Sequence, residues 1–357
     1  MLKLVKFELK KIFARRAARL AVLLVLLLSV LLNFSGYQNM YAFDGRQEGH
    51  GGAAVALDKA LAARYAGLLT DEKVRQMLAD LQPQGDLHGL NPAYLYQNAT
   101  QSAVFCRFAD LDGGWNGRSV AEVFGAEPVQ IGYTLGWLTG SRNLVKALIA
   151  LALAIIIMLT PVFAGEYEGV DCLILTSRLG PGLGCLAKII AAVLAAVGVT
   201  LLTLAVNLGM TGVLYGTEGL DCSILFAPVD FGEGYIPHNI TCGRLLVWQI
   251  GLALTGAAGV TGFSLLFSAL CHNQPAALAA AAALYLLPVL LPVAESSALF
   301  RLLVLCPLYQ AQFVALMSME ALGGGLLYAA LALPVALVCL LAGALLAWRF
   351  FVGQQVC

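Results

Sequence analysis

Six apolar stretches limit what this chain can become: Leu20–Phe34, Leu144–Ala164, Leu186–Tyr215, Leu245–Leu270, Ala276–Val293 and Leu326–Phe351. A helix needs roughly 20 predominantly apolar residues to cross about 30 Å of hydrocarbon. The fifth stretch is short, and each of the others is read as a full crossing. Pro288 and Pro292 in the fifth, and Pro334 in the sixth, would kink or locally break the helices, which packed membrane helices tolerate. The expectation is an all-α membrane protein with six transmembrane helices. An even number of crossings puts both termini on one side.

Composition agrees. Apolar residues make up 60% of the chain and charged residues 12%, about half the charge of an ordinary soluble domain. The formal net charge is zero, so overall charge gives no reason to expect a nucleic-acid partner. The nine cysteines form no CxxC or Cys/His cluster of the metal-ligand kind. Most lie in or beside apolar runs, where Cys acts as a small hydrophobe. Cys222 and Cys242 bracket one polar loop, and spacing alone leaves a disulfide between them open.

Residues 1–19 carry Lys3, Lys6, Lys10, Lys11, Arg15, Arg16 and Arg19 against a single Glu8. Leu2, Val5, Leu9, Ile12 and Phe13 recur at helical spacing, so one face is apolar and the other cationic. That pattern suits an amphipathic helix lying in the headgroups of an anionic leaflet, leading into the first crossing at 20–34. A cleaved signal peptide is the rival reading, but its basic region would be unusually long and no clear small-x-small site follows Leu32. The positive-inside bias places this end, and with six crossings both ends, in the cytoplasm.

Residues 35–141 are the one long polar region. Helical pieces are expected over Ala53–Leu69, from a cap at Thr70 with Asp71 and Glu72, and over Tyr94–Leu111, with a capping box at Ser119 and Glu122. The region is read as a helical extracytoplasmic subdomain between the first two crossings. The remainder, 144–351, is then a bundle of five crossings with a cytoplasmic loop at 165–184. Apolar pieces at Leu299–Leu305 and Tyr309–Met319 suit a segment dipping into the outer leaflet.

No acidic residue sits centrally in any predicted crossing, and Lys146 and Lys188 lie near enough to the ends to snorkel. A charge at mid-bilayer costs about 2.5–3.5 kcal/mol on insertion scales, so ion-coupled carriers that keep one there keep it for a purpose. Its lack here suggests that any driving energy enters from outside the bilayer. HExxH and GxSxG motifs are missing, as are paired carboxylates at helical spacing inside a crossing. The string Gly180-Pro181-Gly182-Leu183-Gly184-Cys185-Leu186-Ala187-Lys188 resembles a phosphate loop but lacks the Gly-Lys-Ser/Thr ending. His50, His88, His238 and His272 are scattered, so no metal site is expected. Asn98-Ala99-Thr100 and Asn239-Ile240-Thr241 are glycosylation sequons by pattern only.

Two features carry more weight. Gly251, Thr255 and Gly259, with Ala258 and Gly262 beside them, place small residues four apart, which lets helices approach closely. Packing within the chain is the first explanation and a subunit interface the second. The other feature is the inner loop Glu166-Tyr167-Glu168-Gly169-Val170-Asp171, continuing to Arg178. Its three carboxylates run against the positive bias of that side, as an acidic turn capping a short helix that seats in a cytoplasmic partner would. A solvated connector is the plainer alternative.

Across Phe163–Ala192 the sequence resembles the ABC-2 type transporter permeases, particularly those of Gram-positive bacteria. The resemblance rests on Glu166, Tyr167, Gly169, Leu173, Leu175, Ser177, Arg178, Gly180 and Lys188. The phrase Asn91-Pro92-Ala93-Tyr94-Leu95-Tyr96 and the whole-chain layout agree with it. Val170 stands where such proteins commonly have Thr, and Pro181 where they have Arg or Lys. The resemblance implies a six-helix permease in the cell membrane, paired with a second permease subunit and docked on an ATP-binding-cassette ATPase subunit. ATP would be bound by that partner, leaving this chain without a cofactor. The coupling contact would lie at Glu166, Tyr167, Glu168, Gly169, Asp171 and Arg178. Two other classes stand beside this one: a multi-pass sensor or assembly protein binding ligand through its outer domain, and an intramembrane enzyme, disfavoured by the missing polar constellations.

Overall fold

A computed structural model describes residues 1–44, 47–81, 98–166, 180–227, 236–322 and 326–353. The chain opens with α1 (Leu2–Ala14) and α2 (Arg16–Gln38), followed by a hairpin of β1 (Tyr41–Phe43) and β2 (Glu48–His50). Next come α3 (Gly52–Arg64), β3 (Gly67–Leu68), α4 (Asp71–Leu81), α5 (Ala99–Phe108), α6 (Val120–Phe124) and β4 (Gln130–Ile131). Helices α7 (Leu135–Leu159), α8 (Pro161–Ala164), α9 (Cys185–Tyr215) and α10 (Cys242–Leu270) follow. The chain continues through α11 (Gln274–Leu290), α12 (Ala298–Leu303), α13 (Pro307–Gln312), α14 (Val314–Met317) and α15 (Ala332–Val352).

The structure is mostly helical, and among the described residues five segments are long and apolar enough to cross a membrane. They are Arg16–Gln38, Leu135–Ala164, Gly182–Tyr215, Cys242–Leu270 and Tyr328–Val352, as in a multi-pass membrane protein. The predicted fifth crossing is the shorter α11, of 17 residues. Its start is built locally: Asn273 Oδ1 accepts the Ala276 N–H at 2.8 Å, and Pro275 occupies the first turn. Its end is set by Pro292, which disfavours helical backbone at the preceding residue; Leu291 is extended at φ −85°, ψ 119°.

The described chain divides into two compact units, residues 1–29, 144–206 and 249–357 in one, 30–143 and 207–248 in the other. The first has a core of aliphatic side chains from α1, α7, α9 and α10, with Phe163 and Phe351 in ring contact at 5.0 Å. Helices α10 and α15 cross at Gly262 and Gly343: a Cβ on Gly262 would strike the backbone of Cys339 and Leu340, and one on Gly343 that of Gly262. Only glycine permits this approach. Pro161 breaks the preceding helix and leaves N–H groups at the start of α8 without helical partners. Ser268 of α10 takes them: its Oγ accepts from Phe163 N at 2.8 Å and donates to the Thr160 carbonyl at 2.6 Å.

The second unit is not purely helical, which corrects the all-α expectation. Tyr41–Phe43 and Glu48–His50 pair antiparallel, with Ala42 opposite Gly49, and Gly67–Leu68 pairs with Gln130–Ile131. An Asp-Gly step at 44–45 is a strong hairpin signal; the Gln47 N–H donates to Asp44 Oδ1 at 2.8 Å. The helix expected over Ala53–Leu69 stops at Arg64 because Gly67 adopts φ +111°, open chiefly to glycine. Caps are where local chemistry puts them. The Lys73 N–H donates to Thr70 Oγ1 at 3.2 Å, and Ser119 and Glu122 form both bonds of the capping box. Asn98, from the first sequon, is buried and caps α5 through Gln101 N at 2.8 Å. Asn91–Tyr96 lies outside the described residues.

Candidate functional site

Among the described residues of the first unit, buried charge gathers around Glu166, at the start of the loop between α8 and α9. Glu166 follows the α8 C-cap Gly165 and is 1% exposed. Three parts of the chain supply its surroundings. From the first turn of α9, Lys188 Nζ donates to Glu166 Oε1 at 2.6 Å and to Glu8 Oε1 at 3.0 Å. From α1, Lys11 Nζ also bonds Glu166 Oε1. Arg15, at the break between α1 and α2, donates through Nη2 to the Pro161 carbonyl at 2.9 Å.

The local sequence explains the gathering. Val5, Glu8 and Ile12 fall at helical spacing on one face of α1, and Arg15 follows at its end. Val5 and Ile12 enter the core while Glu8 and Arg15 reach the charges. The backbone at Arg15 is extended, φ −70° and ψ 129°, so α1 ends there and α2 starts in a new direction. Gly165 lets Arg15 in: a Cβ there would lie 2.7 Å from the Pro161 carbonyl oxygen and 3.1 Å from Arg15 Nη2. Burial lowers the Arg15 pKa, and the charges of Glu166 and Glu8 oppose that shift.

Three cations, Lys11, Arg15 and Lys188, face two carboxylates, Glu8 and Glu166. One positive charge is left over at the root of a loop that carries Glu168 and Asp171. Glu166 Oε2 and Arg15 Nη1 are buried without a hydrogen-bond partner among the described residues. The chemistry is structural. Ions of opposite sign lock the two ends of the loop, at Glu166 and Lys188, to each other and to α1.

Several expectations change here. Lys188 does not snorkel; its side chain is 2% exposed and held in ion pairs, because Glu8 and Glu166 offset its desolvation. Glu166 points inward to these cations, and its side chain is buried. Tyr167, Glu168, Gly169, Asp171 and Arg178 lie outside the described residues. Of the basic helix, Lys3, Lys6, Lys10 and Arg16 are exposed, whereas Lys11 and Arg15 are drawn into the cluster. Leu2 leaves the apolar face, at 86% exposed.

The small-residue stripe of α10 is only partly a contact. Gly259 abuts Pro307, where a Cβ would come within 2.7 Å; Thr255 bonds its own helix at the Leu252 carbonyl; a Cβ on Gly251 meets nothing within 4 Å. The tighter approach in the second unit is Gly136 and Gly140 of α7 against Tyr215 and Thr211 of α9. The spelling Gly136-Trp137-Leu138-Thr139-Gly140 is the four-apart glycine pattern itself, and the polar neighbours of that segment concealed it.

The second unit also contains a cavity of about 330 Å³, lined by Lys59, Gln130, Tyr133, Glu218, Asp221 and Cys222 among others. Lys59 pairs with Glu218 at 2.9 Å and lies 5.4 Å from the centre of the Tyr133 ring. That pair depresses the Glu218 pKa. Nearby Asp58 is buried, accepts the Ala99 N–H at 3.0 Å, and has its pKa raised to about 6 by burial. No His/Cys/Asp/Glu group fit for a metal ion occurs among the described residues. The chain matches no known family's sequence profile and no curated protein.

Proposed function

We propose that this chain is the membrane-spanning subunit of an ATP-driven transporter of the ABC-2 permease type, working with a separate ATPase subunit and a second permease subunit. In this reading α11 is the fifth of six crossings. At about 1.5 Å per residue it spans roughly 25 Å, and Leu291–Val293 extend its apolar length. The polar region after α2 is extracytoplasmic, both termini are cytoplasmic, and the protein resides in the cell membrane of a Gram-positive bacterium.

The observation that carries the proposal is the buried ion cluster at the loop root. A loop that receives a push must be stiff where it joins the helices, or the movement is lost in local bending. Glu166 and Lys188 tie the entering and leaving strands of the loop together, while Lys11, Glu8 and Arg15 tie both to α1. ATPase closure acting on residues 167–179 would then move α1, α8 and α9 as one body, and the cavity between paired permeases would change its access. Glu168, Asp171 and Arg178 would face the ATPase; Glu166 would position the loop instead of touching the partner.

The test is co-purification of the tagged chain with its ATPase. Glu166→Ala should reduce both the recovered ATPase and ATP-dependent transport at least tenfold, while an Asp171→Asn, Arg178→Gln double variant should lose the ATPase without losing thermal stability. Stoichiometric ATP hydrolysis by the chain alone would sink the subunit assignment. One observation favours a sensor instead, namely the 330 Å³ cavity of the second unit. A chain that binds a solute there and recruits no ATPase would establish that reading.

A further inference from the structure

We propose that Cys222 and Cys242 are a disulfide pair that closes the base of the loop between them, with Cys222 as the sulfur that reacts first. Ser223 and Thr241 are antiparallel bridge partners. On either side of them, Ile224 N donates to Ile240 O at 3.0 Å and Cys242 N donates to Cys222 O at 2.9 Å. That register sets Cys222 directly opposite Cys242, so the two side chains leave on the same face. The pair shares one ladder bond, since the Cys222 N–H goes to Gly219 O at 3.2 Å. Residues opposed in an antiparallel pair have Cα atoms about 4.5–5.5 Å apart, inside the roughly 4.4–6.8 Å that a disulfide bridges. Gly243 N to Leu220 O, at 2.7 Å, continues the lacing. Both cysteines are free thiols in this structure.

The surroundings assign an order. Cys242 is fully buried, whereas Cys222 lines the 330 Å³ cavity and is reached from it. Its thiol points toward Asp221 Oδ1 at 3.8 Å, and Gly132 makes room for the sulfur, which a Cβ there would approach to 2.6 Å. Burial and Asp221 raise the Cys222 pKa to about 11, so few molecules carry the thiolate at neutral pH and uncatalysed exchange is slow. The oxidant is a small or protein-borne disulfide, RSSR. The Cys222 thiolate attacks one sulfur of RSSR, forming the mixed disulfide and releasing one RSH. The Cys242 thiolate then attacks the Cys222 sulfur and releases the second RSH, and the two cysteine protons end on the two RSH molecules. The pairing rests on geometry alone. Its formation in cells rests also on the proposed outward orientation of this loop.

The full-length protein is purified in detergent, reduced, treated with oxidised glutathione, then denatured, alkylated and mapped by mass spectrometry. The expected result is a Cys222–Cys242 cross-linked peptide and the loss of two alkylatable thiols from the nine. Cys222→Ser should leave Cys242 unmodified, whereas Cys242→Ser should trap glutathione on Cys222. Cys106→Ser should leave the bridge intact. Two free thiols, a glutathione that stays on Cys222 of the natural sequence, or either cysteine bridged elsewhere overturns the pairing. The mapping of the natural chain decides this even where a serine variant fails to fold. Alkylation of intact cells before lysis adds the second arm. A bridge there upholds both readings; a bridge formed only after purification upholds the pairing and overturns the outward orientation.

Discussion

The two compact units bury charge by opposite means. In the first, Lys188 and Glu166 leave water together, and the desolvation of each is offset by the other and by Glu8 and Lys11. In the second, Asp58 is buried with a backbone N–H and, among the described residues, no ion-pair partner. Its pKa rises to about 6 because desolvation outweighs that single hydrogen bond. A cluster of paired ions is specific and fragile, since losing one member strands the rest. A lone carboxyl instead makes its unit sensitive to pH. The exposed Lys59–Glu218 pair is a third case, in which water already solvates both groups.

The sharpest way to break the comparison is Lys188→Met. It leaves Glu166 with the partly exposed Lys11 as its ion-paired hydrogen-bond donor and with the charge of Arg15 nearby, and removing one partner of a buried pair costs about 3–5 kcal/mol. Chemical denaturation of the purified chain should show a loss of that size. A change under 1 kcal/mol would mean that water reaches the cluster.

Asp58 gives the next effect, and its sign is opposite. A carboxyl whose folded pKa is raised from 3.8 to about 6 contributes stability that is fully present below pH 4 and lost as pH rises through 6. Asp58→Asn keeps the acceptor for Ala99 N and removes the ionisation. Melting should therefore show the variant more stable at pH 7.5 by about 2–3 kcal/mol, with the slope between pH 4 and 6 flattened. An unchanged slope would assign the pH dependence to another group.

Glu218→Gln should change least, by under about 1 kcal/mol, and less still in high salt. An effect matching that of Lys188→Met would show that the exposed pair is also a structural lock, and the contrast between the units would disappear.

Much of the fold was legible because its causes are local. The long apolar helices announce themselves by length and apolarity, and Thr70 and Ser119 mark helix starts within three residues of the groups they cap. The Asp44-Gly45 step in the sequence and the Gly136–Gly140 pair were equally local and were hidden by the polar sequence around them. The ion cluster was hidden differently. Glu8 stood out as the one acid in a basic helix, and Lys188 as a cation opening an apolar one, but nothing along the chain connects them.

The sequence alone therefore determined the long apolar helices, the caps and the stop before Pro292, since each depends on side chains within a turn of the backbone they control, whereas Pro288 and Pro334 lie within α11 and α15. Tertiary structure decided which charges are buried and with whom. Lys188 meets Glu8 across 180 positions, and Lys11 meets Glu166 across 155. Whether a lysine near a helix end reaches for water or turns inward depends on a carboxylate waiting on the other side. Only the packing of α1 against α9 and the root of α8 puts one there.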